Sequence, residues 1–223
     1  MRLLRDQYMG WALFKFQVRS LSFTWYRLPF LLTFIFLQMA FILAGTKHSQ
    51  LETWVTPIIV VLFSLIITQS FHETLQEDFE DKSLFWLLSQ RVDPALYFLS
   101  KCGAFCIMTL IPTLCVVVSF WIFKGDSVRL ISSLSLALLF IGIQAIFLGG
   151  TLSLISLRAK LKGIHLSLPI SLLPLNLPSL LLISSLDQGC ARSFALGALG
   201  GLTLIHMGLG IGLFRYILKG IHQ

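Results

Sequence analysis

Long uninterrupted runs of apolar residues constrain this chain most strongly. A helix needs roughly 20 residues to cross a hydrocarbon layer, and six runs approach or exceed that length, at about residues 28–45, 53–71, 100–123, 131–157, 166–186 and 193–216. Unpaired backbone groups are costly in lipid, which leaves helices as the simplest solution. Because only 12% of the residues are charged, against about 25% in soluble domains, we predict an all-α integral membrane protein with six transmembrane helices.

The runs divide the chain into one membrane domain, residues 1–223, with no separate soluble unit. Residues 28–71 hold the first two predicted spans, and residues 100–223 hold the other four. Residues 1–27 precede the first span, and Trp11, Phe14 and Val18 recur there at helical spacing with Lys15 and Arg19 between them. This pattern predicts an N-terminal interfacial helix in contact with the lipid bilayer. An early start of the first span is the alternative.

The distribution of basic residues predicts the orientation. With both termini in the cytoplasm, only four of the 17 lysines and arginines fall on the outer side: Lys47, Lys124, Arg129 and Arg192. Basic residues concentrate in the short cytoplasmic loops of membrane proteins. The net charge of +7 therefore reflects membrane topology, and we expect no nucleic-acid partner.

The polar segment 72–99 interrupts the apolar runs and concentrates the acidic residues. Five of the ten acidic residues lie between positions 73 and 81. In a helix, Phe71, Leu75 and Phe79 share one face, and Glu77 and Glu80 lie away from it. We predict a cytoplasmic amphipathic coupling segment whose apolar stripe is covered by a protein partner. A helix that lies on the membrane is the alternative, although anionic lipid repels its acidic face.

The fifth predicted span is interrupted by prolines. Pro174 and Pro178 flank Asn176, and each proline removes a helical hydrogen bond. Irregular backbone at membrane depth is tolerated where protein or a water-filled cavity covers it. Pro174, Asn176 and Pro178 are therefore predicted to form a hinge or to line a substrate path, with a static kink as the alternative.

The sixth predicted span contains two GxxxG pairs, Gly197 with Gly201 and Gly208 with Gly212. Glycines at this spacing allow helix backbones to approach closely, either inside a bundle or between protomers. The pattern indicates tight helix packing and is compatible with a homodimer.

Motifs of independent catalysis are missing from the sequence. It contains no GxxxxGK[ST] phosphate loop, no HExxH zinc helix and no GxSxG nucleophile turn. Among the predicted spans, His206 is the one ionisable side chain well inside a run, and Cys102 and Cys106 share a helix face without metal-binding neighbours. We therefore predict no catalytic residue and no metal site, and we expect ATP hydrolysis to reside in a partner. An intramembrane enzyme or redox carrier that uses His206 or the two cysteines is the less favoured reading.

Two short segments resemble one known family. Residues 78–84 read DFEDKSL and residues 173–178 read LPLNLP. They are similar to the D-x-x-D-G-[ST]-L-E and L-P-L-x-[IL]-P patterns of the B-subunit permease of the cytochrome c maturation ABC system, the haem exporter B (CcmB) family. Asp78, Asp81, Ser83 and Leu84 match the first pattern, whereas Lys82 and Phe85 depart from it. The likeness extends to chain length and to the number of spans.

The resemblance implies a permease subunit that couples ATP hydrolysis by a partner to haem delivery, or to release of a haem-loaded chaperone. Its implied partners are an ATP-binding subunit, a haem-handling membrane subunit and a small single-span subunit. No cofactor is expected on this chain itself; ATP is bound by the partner, and haem is handled by the complex. The predicted ATPase-binding residues are Glu73, Glu77, Asp78, Phe79, Asp81, Ser83 and Leu84.

The implied location is the bacterial inner membrane, or the mitochondrial inner membrane in an organellar protein. Two alternatives keep the same architecture. One is an ABC exporter permease for another amphipathic substrate, and the other is an assembly scaffold that transports nothing.

Overall fold

A computed structural model describes residues 9–18, 49–81, 89, 92–124, 128–161, 177–179, 181–183 and 192–219. Four long helices dominate these residues: α1 (Ser49–Glu80), α2 (Pro94–Lys124), α3 (Val128–Leu161) and α4 (Arg192–Lys219). Residues 9–18 are also helical, and no strand occurs in the described ranges. The predicted all-α class is confirmed for this part of the chain.

Each long helix contains a stretch that is long and apolar enough to cross a membrane. These stretches are Ile58–Glu80, Pro94–Val118, Ser132–Ser156 and Arg192–Ile217. They correspond to the predicted second, third, fourth and sixth spans. The predicted first span, 28–45, lies outside the described residues, and so does the fifth, 166–186, apart from positions 177–179 and 181–183.

Helices α1 and α2 are antiparallel. Phe71 in α1 lies against Phe105 in α2, with ring centroids 5.1 Å apart. Further along α1, Asp78 contacts Tyr97, which is closer to the beginning of α2. The contacts thus ascend in one helix as they descend in the other, as expected for a helical hairpin.

Helices α1 and α3 are parallel. A β-carbon at Gly142 in α3 would lie 3.7 Å from Phe63 and from Ile67 in α1, whereas one at Gly150 would lie 2.7 Å from Phe71. Contacts therefore ascend together in the two helices.

Helices α3 and α4 are parallel as well. A β-carbon at Gly200 in α4 would meet Phe140 at 3.6 Å, and one at Gly210 would meet Phe147 at 3.1 Å. Consequently α1, α3 and α4 end, and α2 begins, at one end of the bundle, called here the Glu80 end. The opposite end is called the Ser49 end.

Helix α3 is the most enclosed of the four. In an 18-residue apolar segment of its spanning stretch 72% of the residues are buried, against 28% in the corresponding segment of α4. Glycine makes this possible, because α3 meets the aromatic side chains of its neighbours with no β-carbon in between. A β-carbon at Gly150 would lie 2.6 Å from Phe98 and 2.7 Å from Phe71. Close packing of this kind is the main source of helix association where lipid is as apolar as the side chains.

The predicted GxxxG pairs face away from this packing. A β-carbon added at any of their four glycines would meet no atom within 4 Å, and the four residues are exposed along one side of α4: Gly197, Gly201, Gly208 and Gly212. Close contacts instead involve Gly149, Gly150 and Gly210. Within the described residues, the GxxxG pairs therefore do not pack the bundle.

The N-terminal helix, residues 9–18, packs beside the beginning of α2. A β-carbon at Gly10 would lie 3.2 Å from Leu96, and one at Gly103 would lie 3.4 Å from Phe14. Trp11 is 55% exposed and stacks on Phe14. Lys15 lies 5.2 Å above the Trp11 ring, a cation–π geometry. A basic and an aromatic side chain of this helix are thus in contact.

Candidate functional site at the Glu80 end

The predicted coupling segment begins as a continuation of α1. The helix extends to Glu80, nine positions past the predicted end of the span at residue 71, because glutamate and glutamine continue a helix as readily as apolar residues do. The connection to α2 therefore runs from Asp81 to Asp93. Ser83 and Leu84, two predicted site residues, lie outside the described residues.

The apolar stripe of the segment is covered by the protein's own helices. Phe71 is 0% exposed and Leu75 is 1% exposed, and Phe79 packs against the same core. Phe71 meets Phe98 and Phe105 edge to face. The expectation that this stripe needs a partner to cover it was wrong, since α2 and α3 of the same chain supply the surface.

Asp78 takes part in a charged cluster between α1 and α2. Its Oδ2 forms an ion pair with Lys101 Nζ and accepts a hydrogen bond from the Tyr97 hydroxyl. Lys101 Nζ also donates to the Thr74 carbonyl oxygen at 2.8 Å. We call Asp78, Tyr97 and Lys101 the buried cluster.

The two α2 members of the buried cluster are enclosed by protein. Tyrosine and lysine near the end of a span are often interfacial anchors, yet Tyr97 and Lys101 are each only 1% exposed. A buried ammonium is costly unless a carboxylate and further acceptors surround it, and here α1 provides them. The available signal was the four-residue spacing of Tyr97 and Lys101, which places them on one face of α2.

A second ionic contact joins the beginning of α2 to α4. Asp93 caps α2: its Oδ1 accepts a hydrogen bond from the Ala95 amide at 3.0 Å, and Pro94 occupies the first helical position, where a missing amide hydrogen has no consequence. Asp93 Oδ2 lies 3.5 Å from Arg215 of α4, and both side chains are about half exposed. Such a pair contributes roughly 0–1 kcal/mol.

The other predicted acidic residues have a different setting. Glu73 is half-buried and accepts a hydrogen bond from Gln69 at 3.1 Å. Glu80 accepts one from Gln76 at 2.6 Å. Glu77, Glu80 and Asp81 are exposed at the end of α1, and we call these three residues the acidic surface. Of the predicted aspartates, Asp78 thus faces the bundle and Asp81 faces outward.

A separate polar network lies near the middle of α3. The Gln144 side-chain amide donates to Thr203 Oγ1 at 2.9 Å and to the Leu199 carbonyl oxygen at 3.2 Å, both in α4. Its Oε1 accepts a hydrogen bond from Ser179 at 2.6 Å. The three polar residues are at most 3% exposed. The sequence analysis missed this network, because no local pattern relates Gln144 to its partners.

This network lies next to the predicted hinge. Pro178 is exposed, and its neighbour Ser179 is held by Gln144. Pro174 and Asn176, the other two predicted hinge residues, lie outside the described residues. Pro178, the one predicted hinge residue among those described, is therefore next to a residue that is hydrogen-bonded to α3.

Few groups in the described ranges offer other chemistry. His206 is 9% exposed, and its Nδ1 has no hydrogen-bond partner there. Cys102 and Cys106 are unpaired thiols within α2. No group of three or more His, Cys, Asp or Glu side chains in the described residues could hold a metal ion.

Together, these features show that the described residues form four membrane-length helices with charged side chains at one end of the bundle. Comparison of the chain with known protein families, curated proteins and solved structures finds no match.

Proposed function

We propose that this chain is the membrane permease subunit of an ABC-type complex for c-type cytochrome biogenesis. In this role it couples ATP hydrolysis by a partner subunit to haem delivery, or to release of a haem-loaded chaperone. The observation that carries the proposal is the acidic surface: Glu77, Glu80 and Asp81 are exposed where α1 ends. They lie in and beside segment 78–84, which resembles the motif of the haem exporter B family.

The acidic surface is suited to a partner in the aqueous phase. A cluster of carboxylates accelerates the encounter with a basic protein surface and orients it. The apolar face of α1 opposite the acidic surface is already packed against α2 and α3. A docked partner therefore contacts a helix end that its neighbours hold in place. A movement of the partner would therefore displace the end of α1 together with the helices packed against it.

We further propose six membrane crossings, supported by the helix directions. Residues 9–18 pack at the Glu80 end against the beginning of α2, whereas α1 begins at the Ser49 end. The chain therefore passes from one end to the other between them. It does so again between Leu161 and Arg192, because α3 and α4 are parallel. Two such passages, added to the four helices, give six.

The same argument supports two cytoplasmic termini in an inner membrane. Residues 9–18 and the end of α4 lie at the Glu80 end together with the acidic surface. The bias of 13 basic residues against four assigns this end to the cytoplasm under the positive-inside rule. A haem-handling membrane subunit and a small single-span subunit complete the proposed complex.

Co-purification tests the proposal. The double variant E77Q/D81N removes two carboxylates from the acidic surface. E52Q/D126N is the matched control; it removes two carboxylates that lie far from the acidic surface in the sequence. Each chain is purified from its native membrane in mild detergent, bound ATPase is detected by photolabelling with 8-azido-ATP, and holo-cytochrome c is measured in the same cells.

We expect the wild type and E52Q/D126N to retain a labelled ATPase and normal holo-cytochrome c. We expect E77Q/D81N to lose partner affinity by about tenfold, since two interfacial charge contacts are worth roughly 1–2 kcal/mol. A wild-type preparation without any ATP-labelled polypeptide, or cells that make holo-cytochrome c without this chain, would overturn the proposal.

A further inference from the structure

The two aspartates of the DFED sequence have opposite surroundings. Asp81 is exposed, whereas the Asp78 side chain is 24% exposed and is bound to Lys101 and Tyr97. A helix turns about 100° per residue, so positions three apart point in neighbouring directions. At the end of α1, however, the small difference in direction is enough for Asp78 to face α2 and for Asp81 to face the solvent.

Asp78 is the main counter-charge of Lys101. The Lys101 residue is 1% exposed, and its ammonium contacts the Asp78 carboxylate, the Thr74 carbonyl oxygen at 2.8 Å and the Tyr97 hydroxyl at 3.5 Å. Of these three acceptors only Asp78 carries a full negative charge. Loss of this carboxylate removes an ionic contact from a buried ammonium, which is strongly unfavourable.

The buried cluster also fixes the direction of the end of α1. Asp78 lies two residues before Glu80, so the cluster attaches the last turn of α1 to the first two turns of α2. Tyr97 in turn stacks against Phe214 of α4, with ring centroids 6.4 Å apart. The position of the acidic surface relative to α2 and α4 therefore depends on an internal contact that a docked partner would not touch.

We propose that Asp78 is a positioning residue: through Lys101 and Tyr97 it locks the end of α1 to α2 and so orients the acidic surface, and it makes no contact of its own with the ATP-binding partner. This inference rests on the proposed function. It separates the two aspartates into an internal residue, Asp78, and a contact residue, Asp81. The alternative, in which both aspartates contact the partner, predicts different behaviour of double variants.

The test compares D78L, K101M and D78L/K101M with D81L, which makes the same change on the exposed aspartate. Thermal unfolding of each purified chain in detergent reports the internal contact. We expect D78L to lower the unfolding midpoint by roughly 5–15 °C, because the buried Lys101 ammonium then loses its ion pair with the Asp78 carboxylate. D78L/K101M removes both charges, and its midpoint lies above that of D78L. D81L stays within about 2 °C of the wild type.

Partner binding, measured at 4 °C by 8-azido-ATP labelling of the co-purified ATPase, distinguishes positioning from contact. D78L loses bound ATPase, and D78L/K101M regains it although it still lacks the Asp78 carboxylate. D81L loses ATPase with unchanged stability. If D78L/K101M regains stability without regaining ATPase, Asp78 contacts the partner and the positioning role is overturned.

Two further outcomes also count against the inference. If D78L leaves ATPase binding unchanged, the buried cluster is merely structural. If the unfolding midpoint of D78L/K101M falls by the sum of the two single losses, Asp78 and Lys101 do not interact. A wild-type chain that carries no ATPase would instead overturn the proposed function, while the unfolding measurements would still decide whether the pair is coupled.

Discussion

At the scale of single residues, glycine determines how closely the helices approach. Gly149 and Gly150 leave no room for a β-carbon: one would lie 2.7 Å from Thr68 and the other 2.6 Å from Phe98. Gly201 has the same chemistry in open surroundings. The sequence predicts tight packing at the GxxxG pairs of α4, yet these close contacts are made by glycines of α3. Spacing alone cannot distinguish them, because it does not state which face of a helix meets another helix.

Gly150→Ala is expected to destabilise the bundle, because the new methyl group would overlap the rings of Phe71 and Phe98. Overpacking of this kind costs roughly 1–3 kcal/mol. Gly201→Ala is the matched control, and it is expected to be neutral or slightly stabilising, since alanine favours the helix. Thermal unfolding in detergent measures both. Equal effects of the two substitutions would contradict the described packing of α3.

At the scale of elements, hydrogen bonds connect helices that share few charges. Gln144 joins α3 to Leu199 and Thr203 of α4, and it joins both to Ser179. Most other buried hydroxyl groups bond to their own helix; Thr151, for example, donates to Leu148 and Phe147 of the preceding turn. Loss of Gln144 would therefore remove contacts between elements, as would loss of a member of the buried cluster.

Gln144→Met keeps the length of the side chain and removes its three contacts with other elements. Hydrogen bonds between membrane helices average roughly 0.6 kcal/mol each, so we expect a loss of about 1–2 kcal/mol. Thr151→Val, a buried control whose hydroxyl bonds only within α3, is expected to cost less. The fraction folded is measured during titration with a denaturing detergent. A larger effect of Thr151→Val would show that Gln144 does not join the elements.

At the scale of the whole molecule, the sequence predicts the helical class and four of the spans well, because apolar runs of membrane length are typical of transmembrane helices. It predicts helix ends less well. Hydropathy falls at residue 71 while α1 continues to Glu80, since polar residues outside the membrane can remain helical. The beginning of α2 at Pro94 agrees with the preference of proline for the first helical position.

The candidate site was only partly predictable. The exposure of Glu77 and Asp81 follows from helical periodicity, whereas the engagement of Asp78 does not. Its partner Lys101 lies 23 positions away on an antiparallel helix, and the two meet only because the hairpin brings them to the same depth. Contacts of this kind depend on the register between helices, which no local pattern specifies.

The orientation of the Glu80 end is the central claim, and labelling of single cysteines tests it most directly. In a chain from which the native cysteines have been removed, Asp81→Cys and Ser193→Cys place one thiol at each end of the bundle. A membrane-impermeant maleimide is applied to intact cells and, separately, to inverted membrane vesicles. The account predicts that Cys at position 81 reacts only in inverted vesicles and that Cys at position 193 reacts only in intact cells. Reaction at position 81 in intact cells would contradict it, because no cytoplasmic ATPase could then reach the acidic surface.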